Sequence, residues 1–306
     1  MPQQPNHSTL SRRRVLGLFS GAAGLGAAAT AAGSGGILKP VETAHWHGIA
    51  LGGEASMTLV HQDGARARRV LQMAVTELER LEGVFSIYDP SSAVSRLNRD
   101  GYLSMPPMEL VSLLSRAQHI HEASGGRFDV TVQPLWQNAT NAVLVGQSRI
   151  TVSPAEIRLG AGQAITLNGI AQGAITDALT NLLKREGFSD LLLNTGEIRA
   201  LGLSPDGDAW RVALGDPDGP KVPLAGMAVA TSARAAPKVH LFDPITGQAG
   251  ARFESVSVLA PNATLADGLS TALALAPESN WQAILSRFAN TSAYAVRLDG
   301  TRFFST

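Results

Sequence analysis

An α+β fold, with mixed or antiparallel sheets flanked by helices, is what this sequence predicts. Two patterns carry the prediction. Apolar residues recur at helical spacing over 66–82, 108–123, 173–186 and 264–276. Short apolar runs at 49–60, 156–159, 164–167, 190–202, 210–214, 226–232 and 255–260 have the length and make-up of strands. Runs of strands following one another beside separate helices define the α+β class. The 306 residues are long enough to bury a full core, and 44% hydrophobic with 16% charged residues is the composition of a soluble globular chain.

Taken in order, Ser11-Arg12-Arg13-Arg14-Val15-Leu16 and the uncharged Gly/Ala-rich stretch Val15 to Ala32 resemble a twin-arginine export signal. Ala29-Thr30-Ala31 offers an A-x-A-like cleavage site; an uncleaved membrane anchor is the alternative. Residues 1–32 are therefore expected to be a signal peptide, 33–44 a linker and 45–306 the folded domain, working in the periplasm. The formal charge is balanced at 25 basic and 25 acidic residues, and without the three signal arginines it becomes 22 against 25, a net of −3. Such a surface argues against nucleic acid as the main partner. The absence of cysteine excludes disulfides, thiolate nucleophiles and cysteine zinc sites.

The 49–60 run reads as a strand pair or hairpin with Gly52-Gly53 inside it. The helix over 66–82 packs through Val70, Met73, Ala74, Leu78 and Leu81 and ends at Gly83; Tyr88 then sits at a strand-to-turn junction beside Asp89-Pro90, available for stacking. His45 and His47 have no third ligand in reach, and His119 and His121 point to different faces of the 108–123 helix, so neither pair reads as a metal site. The stretch 124–135 starts with a turn, ends at a proline and reads as a loop that closes over something. Two glycines bracket Leu167-Asn168-Gly169-Ile170-Ala171-Gln172-Gly173, so a helix starting at about Gly173 can present its first amides to an anion, or the glycines can simply punctuate a strand-to-helix turn. The apolar run at 190–202 has the character of a buried strand, bending around Gly196. A basic loop with Arg234 and Lys238 follows the 226–232 strand. Asp267 and Thr271 lie one turn apart on the last helix.

Together these motifs resemble the ApbE-type flavin transferase family. The resemblance rests on Phe85-Ser86-Ile87-Tyr88-Asp89-Pro90 with Ser95-Arg96-Leu97-Asn98, on Gly125-Gly126-Arg127-Phe128-Asp129-Val130-Thr131-Val132, and on Asn168-Gly169-Ile170-Ala171-Gln172-Gly173. It continues through Asn194-Thr195-Gly196-Glu197, Ala230-Thr231-Ser232, His240-Leu241-Phe242-Asp243-Pro244 and Ala266-Asp267-Gly268-Leu269-Ser270-Thr271, nearly the whole chain after the signal. It implies an ApbE-like, T-fold-related architecture. It also implies Mg2+-dependent transfer of FMN from FAD to a Thr or Ser hydroxyl of an exported or membrane-bound flavoprotein, with release of AMP.

By resemblance, Asp267 and Thr271 are side-chain metal ligands and the Gly169 carbonyl completes the protein's share. The bare chemistry agrees: two oxygens at i and i+4 on one helix face plus a carbonyl make an incomplete hard-cation site with room for water and phosphate. Asp267 capping its helix with Thr271 packed is the other reading. FAD contacts carried over fall on Leu51, Tyr88, Arg127, Phe128, Asp129, Gln172 and Leu241. His240 is the candidate general base or acid, or else braces the Asp243-Pro244 turn. Many relatives have an acidic residue at the place of Thr166, a lysine at Gln172 and an aromatic at Ala174, and the common run after Ala-Thr-Ser is replaced by Ala233-Arg234-Ala235-Ala236-Pro237. Gln172 and the export signal resemble the subgroup associated with nitrous oxide respiration, which implies as acceptor a flavoprotein with an FMN-binding domain, the membrane-bound regulator or electron donor for nitrous oxide reductase. A flavin-storage protein without transfer activity and a magnesium-dependent FAD pyrophosphatase are the rival functions.

Overall fold

The computed structural model describes residues 41–136, 139–234 and 241–306. The expected signal peptide, most of the linker and His240 lie outside the described residues. Strands β1 (Glu42–Ala50) and β2 (Gly53–His61) form an antiparallel hairpin turning at Leu51-Gly52, as expected, but β1 starts inside the stretch read as linker. Helix α1 (Gly64–Phe85) is capped by Asp63, whose carboxylate accepts the Arg66 amide at 2.9 Å. It runs past Gly83, the expected end, because Val84 and Phe85 continue the buried face of Val70, Leu71, Ala74, Leu78 and Leu81. Tyr88 therefore follows a helix, not a strand.

Helix α2 (Ala93–Asp100), between a Ser92 cap and left-handed Gly101, has no counterpart among the expected elements, since eight residues are too few to establish a period. Strand β3 (Tyr102–Ser104) and helix α3 (Met108–Ala123) follow, the helix with its expected bounds. The 124–135 stretch becomes a turn and then a 3-10 segment, Val130–Trp136, with Pro134 inside it. Strands β4 (Thr151–Val152) and β5 (Glu156–Arg158) join β3 in a small sheet. The expected strand at 164–167 does not form. Asn98 occupies the place of a neighbouring strand there: its Nδ2 donates to Ile165 O at 2.8 Å and its Oδ1 accepts Ile165 N at 2.7 Å.

Helix α4 (Ala171–Arg185) starts two residues before the expected Gly173. The apolar run at 190–202 divides at Thr195-Gly196-Glu197 into β6 (Asp190–Asn194) and β7 (Ile198–Leu201). Then come β8 (Trp210–Ala213), β9 (Lys221–Leu224), β10 (Ala228–Ala233), β11 (Phe253–Ala260), α5 (Ala263–Leu275), α6 (Trp281–Leu285), β12 (Ser292–Arg297) and β13 (Arg302–Ser305). The main sheet has the order β1-β2-β6-β7-β10-β11-β12-β13, and every pairing in it is antiparallel. Of the mixed and antiparallel alternatives, the antiparallel one is realised.

Each half of this sheet is two adjacent strands, a helical excursion, and two more adjacent strands, a repeat of topology that no sequence repeat announces. The main core lies between the sheet and α1, α4 and α5. A second cluster, with Ile198, Trp210, Leu224, Val229 and Tyr294, forms where the β8–β9 ribbon covers the other face.

The two helices nearest the sheet centre are joined by an exchange of carboxylates. Asp177 on α4 accepts from the Ala263 and Thr264 amides, both at 2.9 Å, and from the Thr264 hydroxyl at 2.6 Å. Asp267 on α5 accepts from the Gly173 amide in the first turn of α4 at 3.0 Å. Each helix thus neutralises orphan amides at the other's N-terminus, where an anion is also favoured by the helix dipole. Arg199 from β7 adds a guanidinium to Asp177, so this carboxylate is paired as well as hydrogen-bonded.

Gly173 sets how close the helices come. A Cβ there would lie 2.3 Å from the Ala263 carbonyl oxygen and 2.8 Å from Thr264 Cα, backbone that cannot swing aside. Gly173→Ala is expected to lower stability by about 1–3 kcal/mol by forcing α4 and α5 apart. Gly83→Ala, at an exposed helical position where a Cβ meets nothing within 4 Å, should raise it by about 0.5–1 kcal/mol. Urea unfolding of the two variants checks both signs.

Candidate functional site

A cleft opens beside the α4–α5 junction, between the segment that precedes α4, the 127–136 stretch, the 241–250 turn and one face of α5. Its apolar walls include Phe128, Trp136, Leu241 and Phe242, and the Trp136 and Phe242 rings meet with centroids 5.6 Å apart. Thr166, Asn168, Ser232 and Thr271 supply polar groups. Of the sequence-predicted contacts, Arg127, Phe128, Asp129 and Leu241 line this cleft together with Gly169 and Thr271.

The charged members are held by the protein's own groups. Arg127 pairs with Asp243, a largely buried ion pair that ties the 127–136 stretch to the 241–250 turn, and Asp243 also accepts the Ile245 amide at 3.0 Å. Asp129 accepts from the Thr131 amide at 2.7 Å, from the Thr131 hydroxyl and from the Gln147 amide at 3.1 Å. His121 Nδ1 stands 3.4 Å from the same carboxylate and 2.9 Å from the Phe128 carbonyl oxygen. These bonds fix the loop backbone that places Phe128 in the cleft wall.

Gly169 lies against Thr271 at the cleft, and Asp267, one turn earlier on α5, meets Gly173 in the first turn of α4. A Cβ on Gly169 would lie 2.9 Å from Thr271 Oγ1 and 3.3 Å from the Phe128 ring, so only a glycine lets this backbone approach α5. Thr271 Oγ1 is 3.4 Å from Ser232 Oγ, which bonds Ser270 Oγ at 2.8 Å. Asp267 is 2% exposed and its Oδ2 accepts the Gly173 amide. It therefore caps α4, across the interface, rather than α5; the cap of α5 is Asn262, which accepts the Leu265 amide at 2.9 Å. Among the described residues no group of three or more His, Asp or Glu side chains gathers. The donor set offered here is one carboxylate, one hydroxyl and one main-chain carbonyl, all hard oxygens.

Leu51 and Gln172 belong to a second group, at the N-terminus of α4. Gln172 lies against both turns that flank it: a Cβ on Gly53 would be 3.3 Å, and on Gly196 2.1 Å, from its Nε2. Thr176 Oγ1 bonds Thr195 Oγ1 at 2.6 Å, fixing the β6–β7 turn to the same helix. Leu51 adopts a left-handed conformation, φ 46°, and its amide donates to Glu82 on α1. Burial raises the Glu82 carboxyl above its usual value, and the Leu51 amide opposes that shift. Tyr88, in the turn after α1, is 57% exposed and is not part of the cleft wall.

Asp177, Asp243, Ser232, Asn168 and Phe242 are site or scaffold residues that sequence reasoning does not single out. Asp177 carries no local signal, because the amides it accepts belong to another helix some 86 residues away.

Fold and cleft together define the class: an antiparallel α+β protein with an oxygen-lined cleft at the junction of two mutually capped helices. Residues 51–295 match the model of the ApbE family, and the chain belongs to that family. It is similar to the FAD:protein FMN transferase of Vibrio cholerae, 27% identical over 293 residues covering 81% of this chain and 86% of that one. It is also similar to the FAD:protein FMN transferase of Treponema pallidum, 27% identical over 280 residues, 75% and 77% of the two chains. The apo structure of the Pseudomonas stutzeri flavinyl transferase ApbE superposes with a TM-score of 0.79 at 25% identity, over 88% of this chain and 97% of that one.

Proposed function

We propose that this chain transfers FMN from FAD to a Thr or Ser hydroxyl of an acceptor flavoprotein, releasing AMP. Family membership and the like-named relatives support the reaction class. The observation that carries it is the close approach of Gly169 to Thr271 beside an aromatic-walled cleft, with Asp267 one turn away on the same helix. FAD has two ring systems joined by a pyrophosphate, and the chain offers two groups of residues, the cleft and the Leu51–Gln172 turns, on either side of the α4 N-terminus.

In the reaction the acceptor hydroxyl oxygen bonds to the FMN-side phosphorus while the bond from that phosphorus to the bridging oxygen breaks. The electron pair leaves with AMP, and the hydroxyl proton passes to a base, for which we assign His240. The donors present suit Mg2+, which would be held by the Asp267 carboxylate, the Thr271 hydroxyl and the Gly169 carbonyl. Such an ion would supply charge neutralisation at the phosphates. The chain's own part is to orient: Phe128, Leu241 and Phe242 exclude water from the cleft, and the Arg127–Asp243 pair holds its two walls together.

The acceptor proposed is an exported or membrane-bound protein with an FMN-binding domain, in the setting of nitrous oxide respiration; the Arg12-Arg13 pair and Gln172 support this. No helix among the described residues is long and apolar enough to cross a membrane. Changing Arg12 and Arg13 to Lys should leave unprocessed precursor in the cytoplasm on cell fractionation; normal processing removes the export proposal and leaves the transfer reaction untouched.

Incubation with FAD, Mg2+ and an acceptor domain is expected to leave flavin fluorescence on the acceptor band of a denaturing gel. Free FMN with AMP identifies a pyrophosphatase, and bound but intact FAD a storage protein. Asp267→Asn keeps an oxygen for the Gly173 amide but loses the charge. Transfer should therefore fall at least about a hundredfold, several kcal/mol of charge stabilisation, while the variant stays folded with its melting temperature lowered by the lost anion at the α4 N-terminus. A normal rate at saturating Mg2+ contradicts the metal assignment.

A further inference from the structure

A chain of hydroxyl groups runs from the cleft wall to the buried side of α5. Ser270 is 1% exposed, and its Oγ donates to the Asp267 carbonyl oxygen at 2.9 Å. A hydroxyl carries a single proton, so Ser270 has none left for Ser232, whose Oγ lies 2.8 Å away. Ser232 therefore donates to Ser270. With its own proton committed, Ser232 meets Thr271 Oγ1, 3.4 Å away, as an acceptor. The protons thus run from Thr271 to Ser232, to Ser270, to the main chain at Asp267. The Thr271 end departs from the usual pattern. A threonine inside a helix can return its proton to the carbonyl four residues earlier, as Thr176 does to Gln172 at 2.8 Å and Thr180 to Thr176 at 2.7 Å. For Thr271 that carbonyl belongs to Asp267 and already accepts from Ser270. Thr271 meets Ser232 on β10 instead, and both residues line the cleft. A hydroxyl binds a cation through a lone pair, and a fixed acceptor for its proton keeps that lone pair turned outward. The 3.4 Å separation exceeds the roughly 2.5–3.0 Å of a closed O–H···O bond, so this link is the one with room to shorten.

We infer that Ser232 is a positioning residue for the cation: by accepting the Thr271 proton it leaves the lone pairs of that oxygen for a divalent metal ion. Ser270 and the Asp267 main chain hold Ser232 in the accepting orientation. The inference rests on the Mg2+ reading above. Ser232 acts through Thr271, so its effect vanishes where Thr271 has no hydroxyl.

The test is titration of Mg2+ into the full chain saturated with FAD, followed by melting temperature. The proteins are the wild type, Ser232→Ala, Ser232→Cys, Thr271→Val, and Ser232→Ala combined with Thr271→Val. Ser232→Ala should raise the Mg2+ concentration at the midpoint about tenfold or more, the scale for removing the hydrogen-bond partner of a metal ligand. Ser232→Cys, close in shape but a weaker acceptor, should raise it by less, and it carries the test if the alanine variant does not fold. Thr271→Val should raise the midpoint by itself, and adding Ser232→Ala should raise it no further, since the two residues act as one unit. In the transfer assay excess Mg2+ should return kcat of Ser232→Ala to within about twofold of the wild type, a rescue that a merely structural role does not give. Unchanged Mg2+ midpoints in Ser232→Ala and Ser232→Cys overturn the inference, even where the ligand-free proteins melt lower. A double variant in which the two losses add also overturns it. A wild type that FAD stabilises and Mg2+ does not overturns the metal reading itself, an outcome distinct from both.

Discussion

The structure depends on two carboxylates that cross between α4 and α5. Asp177 satisfies the first amides of α5, and Asp267 satisfies an amide in the first turn of α4. Helix N-termini that meet in a core bring unsatisfied donors and aligned positive dipole ends together, an arrangement that repels unless anions are supplied. Here each helix supplies the other's anion. The approach this allows is close enough to require glycine at 173, and it carries the segment that precedes α4 onto α5, where Gly169 meets Thr271.

The two carboxylates are not equivalent. Asp177 is used up by two amides, a hydroxyl and the Arg199 guanidinium. Asp267 accepts the Gly173 amide through Oδ2 and stands one turn before Thr271, which Gly169 approaches. Held by the fold, this carboxylate is placed without the side-chain ordering cost that a mobile one would incur on binding. In this account the helix junction and the reaction site are one device, and the topological repeat of the sheet is what brings the second helix to the first. Tyr88 and the 241–250 turn are of a different kind: they sit on loops tied down by local bonds and by the Arg127–Asp243 pair.

Much of this was legible in the sequence because the helices that matter are long and amphipathic. The bounds of α3 agree with expectation, and α4 and α5 are placed to within two residues. The approach of Gly169 to Thr271 joins two segments that only the resemblance linked, since they lie about a hundred residues apart in the sequence. What was not legible has physical causes. Asn98 replaces a strand partner for Ile165 through a side chain, which no backbone pattern encodes. β9, β13 and α2 are short, and β13 pairs at a sheet edge where polar and apolar residues mix. Reading Asp267 as a cap of its own helix missed that the capped helix is α4, because capping across an interface leaves no local spacing in the sequence.

The measurement that bears most directly on the central claim is thermodynamic linkage between Mg2+ and FAD. Melting temperatures should be taken for the wild type and for Asp267→Asn with each ligand alone and with both. Ligands that share a site stabilise one another's binding by a common coupling factor. The account predicts that Mg2+ raises the stabilisation given by FAD in the wild type, that FAD alone still stabilises Asp267→Asn, and that the extra increment from Mg2+ disappears in that variant. Equal increments from Mg2+ in both proteins, or none in the wild type, would contradict the claim that Asp267 joins the helix junction to the phosphate chemistry.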